Sequence, residues 1–147
     1  MGIEERELTK AEFYTLLESC PEEESDSLIN YARSLNTLPW EYFQNLGITS
    51  YGILIDGVPI YYACLYSGED DTYRLWTLRK KEIKEQFTLF KLCKRKVQQT
   101  AKVYSPIYAV NYVKNRVEAK WNMHMGFIPY KIDGDLVYYR MDNHKGA

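Results

Sequence analysis

Residues 115–127 read NRVEAKWNMHMGF, a short helix whose two ends are both marked in the sequence. Asn115 is a preferred N-cap residue, and Glu118 three positions later has the spacing of a capping box, with Asn in place of Ser or Thr. Gly126 is the residue type that most often ends a helix in the left-handed conformation. The pattern therefore predicts a helix over Arg116–Met125.

The residues on both sides of this helix are extended. Ile107–Tyr112 precedes it as a short strand. Phe127–Ile132 and Leu136–Met141 follow it as a hairpin around Asp133-Gly134-Asp135. Before them, helical spacing predicts a long helix over Lys81–Tyr104. Its predicted inner positions are Ile83, Phe87, Leu89, Phe90, Cys93, Val97, Ala101 and Tyr104, and its predicted outer positions are Lys84, Lys91, Lys94, Arg95, Lys96 and Lys102.

Further upstream the chain has the pattern of a β-meander. Tyr51–Ile55 and Val58–Tyr66 flank Asp56-Gly57, a strong hairpin signal, and Thr72–Leu78 alternates as a third strand after a turn at residues 68–71. The long helix that follows predicts a right-handed crossover, which places the strands before and after it parallel.

The first fifty residues are predicted to be mainly helical. Glu4–Thr9 is a candidate edge strand, Lys10–Ser19 a helix opened by a Thr9–Glu12 capping box, and Asp26–Leu38 a second helix. That second helix should bury Leu28, Ile29, Ala32 and Leu35. The stretch Pro39–Ser50 is expected to be irregular, with an exposed aromatic loop at Trp40–Phe43.

These elements predict one mixed α/β domain over residues 1–147, in the order β-α-α-β-β-β-α-β-α-β-β. The central sheet should be mostly antiparallel with helices on both faces, and residues 142–147 should form a mobile tail. With 147 residues, 46% of them hydrophobic, the chain is long enough to bury a core without disulfides or metal.

Composition excludes several classes of protein. No run of apolar residues is long enough to span a membrane, and the acidic opening is unlike a secretory signal, so a soluble, non-secreted protein is expected. The net charge is only −1, which disfavours a dedicated nucleic-acid binder. The charges are nevertheless segregated: residues 1–30 hold nine acids and two bases, and residues 79–102 hold nine bases and two acids.

The element order and residues 115–127 resemble the GNAT N-acetyltransferases. That family often carries an Asn, six residues later an aromatic or Leu, then Tyr, and four residues further Gly-Phe. Here these positions are Asn115, Trp121, Asn122 and Gly126-Phe127. The segments LWTLRKKEIKEQF (75–87) and YAVNYVKNRVEAKWNMHMGF (108–127) also resemble small phage proteins of the T7 internal virion protein A type.

The resemblance implies an acetyl-CoA pyrophosphate site at the start of the long helix, where glycines usually let backbone N–H groups approach the phosphates. Residues 78–87, LRKKEIKEQF, contain no glycine. Side chains of Arg79, Lys80, Lys81 and Lys84, with Asn115, are the candidate cofactor contacts. Glu82 and Glu85, expected in the first helical turn, would oppose a pyrophosphate and favour an ordinary helix start.

The resemblance also implies a proton donor for the departing thiolate, usually the Tyr that is replaced here by Asn122. An amide cannot give up a proton, and His124 lies about 200° around the helix from it. Tyr112 is a weak candidate, with Tyr108 and Tyr130 behind it, and His144 falls in the tail. Cys64 and Cys93 lie in apolar runs typical of buried structural thiols, and two histidines do not make a metal site.

Three hypotheses follow. The first is a catalytically degenerate GNAT-like phage accessory or virion-associated protein, in the host cytoplasm or the virion. It would need no cofactor and would contact a virion or host protein, or further copies of itself. The second is an active N-acetyltransferase that uses acetyl-CoA on a protein or small-molecule amine. The third, a nucleic-acid module on the Lys91–Lys102 face, ranks last because that face lacks interleaved aromatics.

Overall fold

A computed structural model describes residues 2–67, 70–84 and 86–142. Its elements, in chain order, are β1 (Ile3–Arg6), α1 (Lys10–Ser19), α2 (Glu22–Ser34), α3 (Pro39–Leu46), β2 (Gly47–Ile55), β3 (Val58–Ser67), β4 (Tyr73–Arg79), α4 (Gln86–Val103), β5 (Ile107–Tyr112), α5 (Arg116–Met125), β6 (Ile128–Asp133) and β7 (Leu136–Met141). His144 and most of the predicted tail lie outside the described residues, as do two residues of the predicted turn at 68–71.

The strands form a seven-stranded, mostly antiparallel sheet in the order β1-β2-β3-β4-β5-β7-β6. The predicted Asp56-Gly57 hairpin is confirmed, and both residues have the positive φ that a tight turn of this kind requires. β4 and β5 are parallel, pairing Tyr73 with Ile107 and Arg74 with Tyr108, so the predicted crossover is confirmed. The mixed α/β class follows directly from the sequence pattern.

The chain divides into two compact units, Met1–Ser67 with Trp76–Lys84, and Gly68–Leu75 with Glu85–Ala147. In the first unit, α1, α2 and α3 pack on the strands through an aromatic cluster centred on Phe13. The Phe13 ring makes edge contacts with Tyr62 at 5.1 Å and Phe43 at 6.0 Å between centroids. Trp40 and Trp76 pack against this core.

The first unit corrects the sequence prediction at two helices. α2 begins at Glu22 rather than Asp26, because three glutamates in its first turn suit the positive end of the helix dipole. It ends at Ser34, and Leu35 is half exposed instead of inward. The segment predicted to be irregular forms α3, with Pro39 at its start and Tyr42 and Phe43 buried. The exposed aromatic loop at Trp40–Phe43 is therefore wrong, and the observed order has one more helix.

The second unit contains α4, α5 and the strands β5, β7 and β6. α5, β5 and β7 have the predicted bounds, and Gly126 ends α5 with φ +112°. α4 begins at Gln86, five residues after the predicted start. Its buried residues are Leu89, Cys93, Val97 and Ala101, whereas Phe87 is 71% exposed. The buried face of α4 therefore follows strict fourth-residue spacing, and the prediction that Phe87 lies inside is wrong.

Candidate functional site

Four of the predicted cofactor contacts follow one another at the end of β4. Arg79 is the last residue of that strand, and Lys80, Lys81 and Lys84 lie in the connection after it. Lys81 and Lys84 are exposed, as is Glu82 between them. The structure therefore collects a cationic segment within the first unit, with side chains that can attract an anion.

Two backbone N–H groups of this segment are already hydrogen-bonded within the fold, so they cannot bind an anion. The Lys80 N–H donates to the carbonyl oxygen of Ile60 at 3.0 Å, and the Lys81 N–H donates to that of Ser19 at 2.7 Å. Both donors are thus already satisfied within the fold. Because a pyrophosphate cradle is built from successive unpaired N–H groups, these two residues do not contribute to one.

The start of α4 differs from the sequence prediction in a way that matters for anions. No acidic residue lies in its first turn, since the helix begins at Gln86. Glu82 lies in the connection, and Glu85 is outside the described residues. The prediction that Glu82 lies in the first helical turn is therefore wrong.

Two of the predicted site residues have structural partners in α5 of the second unit. The Asn115 side-chain oxygen accepts a hydrogen bond from the Glu118 N–H at 3.1 Å, which confirms Asn115 as the N-cap. Asn122 is buried, and its Nδ2 donates to Asn111 Oδ1 at 3.1 Å. Asn111 in turn donates to the carbonyl oxygen of Tyr112 at 2.7 Å. Asn122 therefore joins α5 to β5.

Asn111 is the member of this polar cluster that the sequence analysis missed. Burial raises the pKa of Tyr139, and a hydrogen bond with Asn111 opposes that shift. Asn111 thus connects residues of β5, α5 and β7. The available signal was that Asn111 lies four residues after Ile107 in the strand and so faces the same side as that apolar residue. A buried amide is found where its hydrogen bonds are met.

The candidate tyrosine donors differ in their surroundings. Tyr112 is the last residue of β5 and is 46% exposed. The Tyr108 and Tyr130 rings meet edge to face at 6.0 Å, and Arg140 Nη1 donates to the Tyr108 hydroxyl at 3.4 Å. Burial, followed by the neighbouring Tyr108, raises the pKa of Tyr130, which makes its hydroxyl a weaker acid. These contacts do not distinguish one of the three tyrosines as a proton donor, and the role of Tyr112 stays a prediction.

The cysteines are buried in the fold, and His124 packs against an aromatic ring. Cys20, Cys64 and Cys93 are buried free thiols, and burial raises the pKa of Cys64 to about 11. His124 is exposed and packs edge-on against Phe90 at 5.8 Å. Within residues 2–67, 70–84 and 86–142, no group of three metal-ligating side chains converges. No helix in the described parts of the chain is both long and apolar enough to cross a membrane.

Several solved structures with the same arrangement are acetyltransferases. PaiA N-acetyltransferase from Thermoplasma acidophilum, in complex with coenzyme A, is 21% identical with a TM-score of 0.69, and the match covers 97% of this chain and 99% of that one. This chain has a GNAT-like fold. YncA from Salmonella typhimurium, a putative acetyltransferase with acetyl-CoA, matches the GNAT-like chain at 14% identity and TM-score 0.65, over 99% and 96% of the two chains.

A third similar structure is the N-acetyltransferase PseH from Campylobacter jejuni. It is 14% identical with a TM-score of 0.64, covering 97% of the GNAT-like chain and 99% of its own. No protein-family model matches the sequence, and no curated protein does. At these identities the likeness concerns the fold, and function must be argued from the residues.

The β4–α4 connection of the GNAT-like chain lacks the glycine-based cradle for coenzyme A that the family resemblance implies. The connection from β4 to α4 has no glycine, and two of its N–H groups are already bonded. Asn122, at the position of the usual family acid, is an amide committed to Asn111. What remains is a set of exposed lysine side chains able to pair with anions in water.

Proposed function

We propose that this GNAT-fold chain has lost acetyl transfer and serves as a phage accessory or virion-associated protein that acts through protein contacts. The observation that carries the proposal is the β4–α4 connection. It lacks glycine, and the N–H groups of Lys80 and Lys81 are donated to Ile60 and Ser19. Opening either bond to receive a phosphate would leave a carbonyl oxygen without its donor.

The buried amide at position 122 adds independent support. A donor for the leaving thiolate has to present an acidic proton at the reacting atoms. Asn122 has no such proton, and its hydrogen bond to Asn111 at 3.1 Å fixes it in a structural role. The phage assignment rests on the sequence resemblance in residues 75–87 and 108–127, and the host cytoplasm or the virion is the corresponding location.

An active acetyltransferase is the second candidate, and one specific observation favours it. Lys80, Lys81 and Lys84 supply cationic side chains within the first unit, and α4 of the second unit has no acid in the first turn that begins at Gln86. Similar structures were solved with coenzyme A and with acetyl-CoA. In this alternative the phosphates would be held by lysine side chains, and the acceptor would be a protein or small-molecule amine.

Calorimetric titration with acetyl-CoA and with CoA separates the two candidates. The degenerate chain is expected to give no binding heat and no thermal shift at millimolar ligand. Micromolar binding that is lost in the double variant Lys80→Glu/Lys81→Glu would overturn the proposal. Lys114→Glu/Lys120→Glu is the matched control, because it changes the net charge equally and alters α5 and the turn before it.

A further inference from the structure

The second unit contains an open groove of about 590 Å³ between α4 and the end of β7. Lysines line its length at Lys91, Lys94 and Lys102, together with the half-buried Phe90 and the buried Met141. We call this feature the basic groove. It consists of α4 and β7 residues of the second unit and includes none of the predicted cofactor contacts.

The basic groove has positive charge that the described fold does not neutralise. Lys91, Lys94 and Lys102 form no ion pair with any described residue. Asp142 is the acid on the lining, and its carboxylate is 2.9 Å from Arg140 Nη2. The groove therefore carries positive charge without neutralising acids among the described residues, which favours an anionic ligand.

The aromatic residues of this helix distinguish between anions. Lys91 Nζ lies 4.6 Å above the exposed Phe87 ring, and Lys94 Nζ lies 5.8 Å from the centre of the Phe90 ring. Both rings precede Lys91, and residues 91–102 hold no aromatic residue, in agreement with the sequence analysis. Each ring already has a lysine over it, so neither is an open platform on which a nucleic-acid base can stack.

The polar residues of the groove favour a polypeptide. Gln98 and Gln99 also line it, and both are exposed. An amide offers an acceptor as well as donors, which suits the N–H and C=O groups of a peptide backbone. The phosphodiester groups of a nucleic-acid backbone have no hydrogen-bond donor for the side-chain oxygen of a glutamine.

The length of the groove sets the size of the segment. Twelve residue steps separate Phe90 from Lys102, a distance of about 18 Å along a helix at ~1.5 Å per residue. An extended peptide covers that distance with about five residues. A cavity of this volume is within the range of specific small binding sites.

We infer that the basic groove binds a short acidic segment of a partner polypeptide, with carboxylates on Lys91, Lys94 and Lys102. The inference rests on the proposed function in that it gives the chemistry of the protein partner. It needs nothing from the β4–α4 connection. An experiment that contradicts the groove inference can therefore be distinguished from one that contradicts the proposed loss of acetyl transfer.

The test is fluorescence anisotropy with a labelled acidic peptide EELEEE at low salt, against its amide counterpart QQLQQQ. The wild-type chain should bind the acidic peptide and not the amide one. The variant Lys91→Gln/Lys94→Gln/Lys102→Gln should bind it about tenfold more weakly, since three surface ion pairs are lost. Binding should also weaken when salt is raised to about 0.3 M.

The matched control is Lys114→Gln/Lys120→Gln/Lys131→Gln, which removes the same charge from lysines that do not line the groove, and it should keep wild-type affinity. Equal losses in both variants would overturn the inference, since they would indicate attraction to net charge alone. No binding to the acidic peptide would overturn it too. So would tighter, groove-dependent binding of an oligothymidylate, which would assign the groove to nucleic acid. Acetyl-CoA turnover in the same preparation would count against the proposed function and leave the groove unaffected.

Discussion

The ionisation of Glu12 is controlled by hydrogen bonds that the fold provides. Arg6 donates to both of its carboxylate oxygens, at 2.7 and 2.8 Å, and the Thr9 N–H donates at 2.9 Å. These bonds lower the pKa of Glu12 from 4.5 to about 2. A lowered folded pKa stabilises the fold fully above the unfolded pKa near 4.5, and that stabilisation is lost as the pH falls from there toward 2.

Replacing Glu12 by Gln should therefore remove part of the acid sensitivity of the protein. The expected cost is about 1 kcal/mol at neutral pH, allowing for solvent around the half-exposed Arg6, with a smaller difference near pH 2.5. Urea unfolding at a series of pH values measures it, and Glu18→Gln on the exposed side of the same helix is the control. An unchanged pH slope in Glu12→Gln would show that this ion pair does not contribute.

The Thr9–Glu12 capping box was predictable from residue type and spacing, because both partners belong to one helical turn. The Arg6 contribution was not, because it depends on where β1 ends relative to α1. The same limit applies at the candidate site. The N-cap role of Asn115 is local and was predicted, whereas the Asn122–Asn111 hydrogen bond joins a helix to a strand.

At the scale of elements, the orientation of α4 predicts different losses of stability when Leu89 and Phe87 are each replaced by Ala. Leu89 is 1% exposed and Phe87 is 71% exposed, although helical spacing placed both inside. Leu89→Ala should cost about 2–5 kcal/mol through lost burial and a cavity. Phe87→Ala should cost less than about 1 kcal/mol, mainly its contact with Lys91. Chemical denaturation of the two variants measures the difference, and equal costs would contradict the assigned face of α4.

The position at which α4 begins explains why its buried face was hard to predict. Residues 81–85 have good helix formers, so propensity extends the helix to Lys81. The Lys81 N–H instead bonds to Ser19, a residue sixty-two positions earlier, and the connection is not helical. Once those residues leave the helix, Ile83 no longer shares a face with Phe87. Long-range bonds of this kind override local propensity.

At the scale of the whole molecule, alternation and turn signals were sufficient for five of the seven strands to within about one residue, and for the parallel crossover. β1 ends three residues before the predicted Thr9. β2 begins four residues earlier than predicted, where aromatic residues obscured the boundary with α3. The site was less predictable than the fold. The cationic segment Arg79–Lys84 could be read from sequence, but the bonds that occupy its backbone could not.

Segregated charge also has a consequence for the molecule as a whole. The net charge is −1, so repulsion between copies is weak. Residues 1–30 and 79–102 carry local balances of −7 and +7, so regions of opposite sign on different copies attract at short range. This attraction is screened beyond about 10 Å at 0.1 M salt. Static light scattering should therefore give a negative second virial coefficient at low salt that rises toward zero near 0.15 M.

Two variants separate attraction between charged regions from net charge. Lys91→Gln/Lys94→Gln/Lys102→Gln weakens the basic region and makes the molecule more negative, so its virial coefficient should become positive at low salt. Lys114→Gln/Lys120→Gln/Lys131→Gln has the same net charge but keeps the basic region intact. Its second virial coefficient should be more negative than that of the first variant, because the lysines of α4 can still attract the acidic helices of another copy. Identical coefficients for the two variants would mean that net charge alone governs association, and a coefficient that falls as salt is added would exclude attraction between these regions.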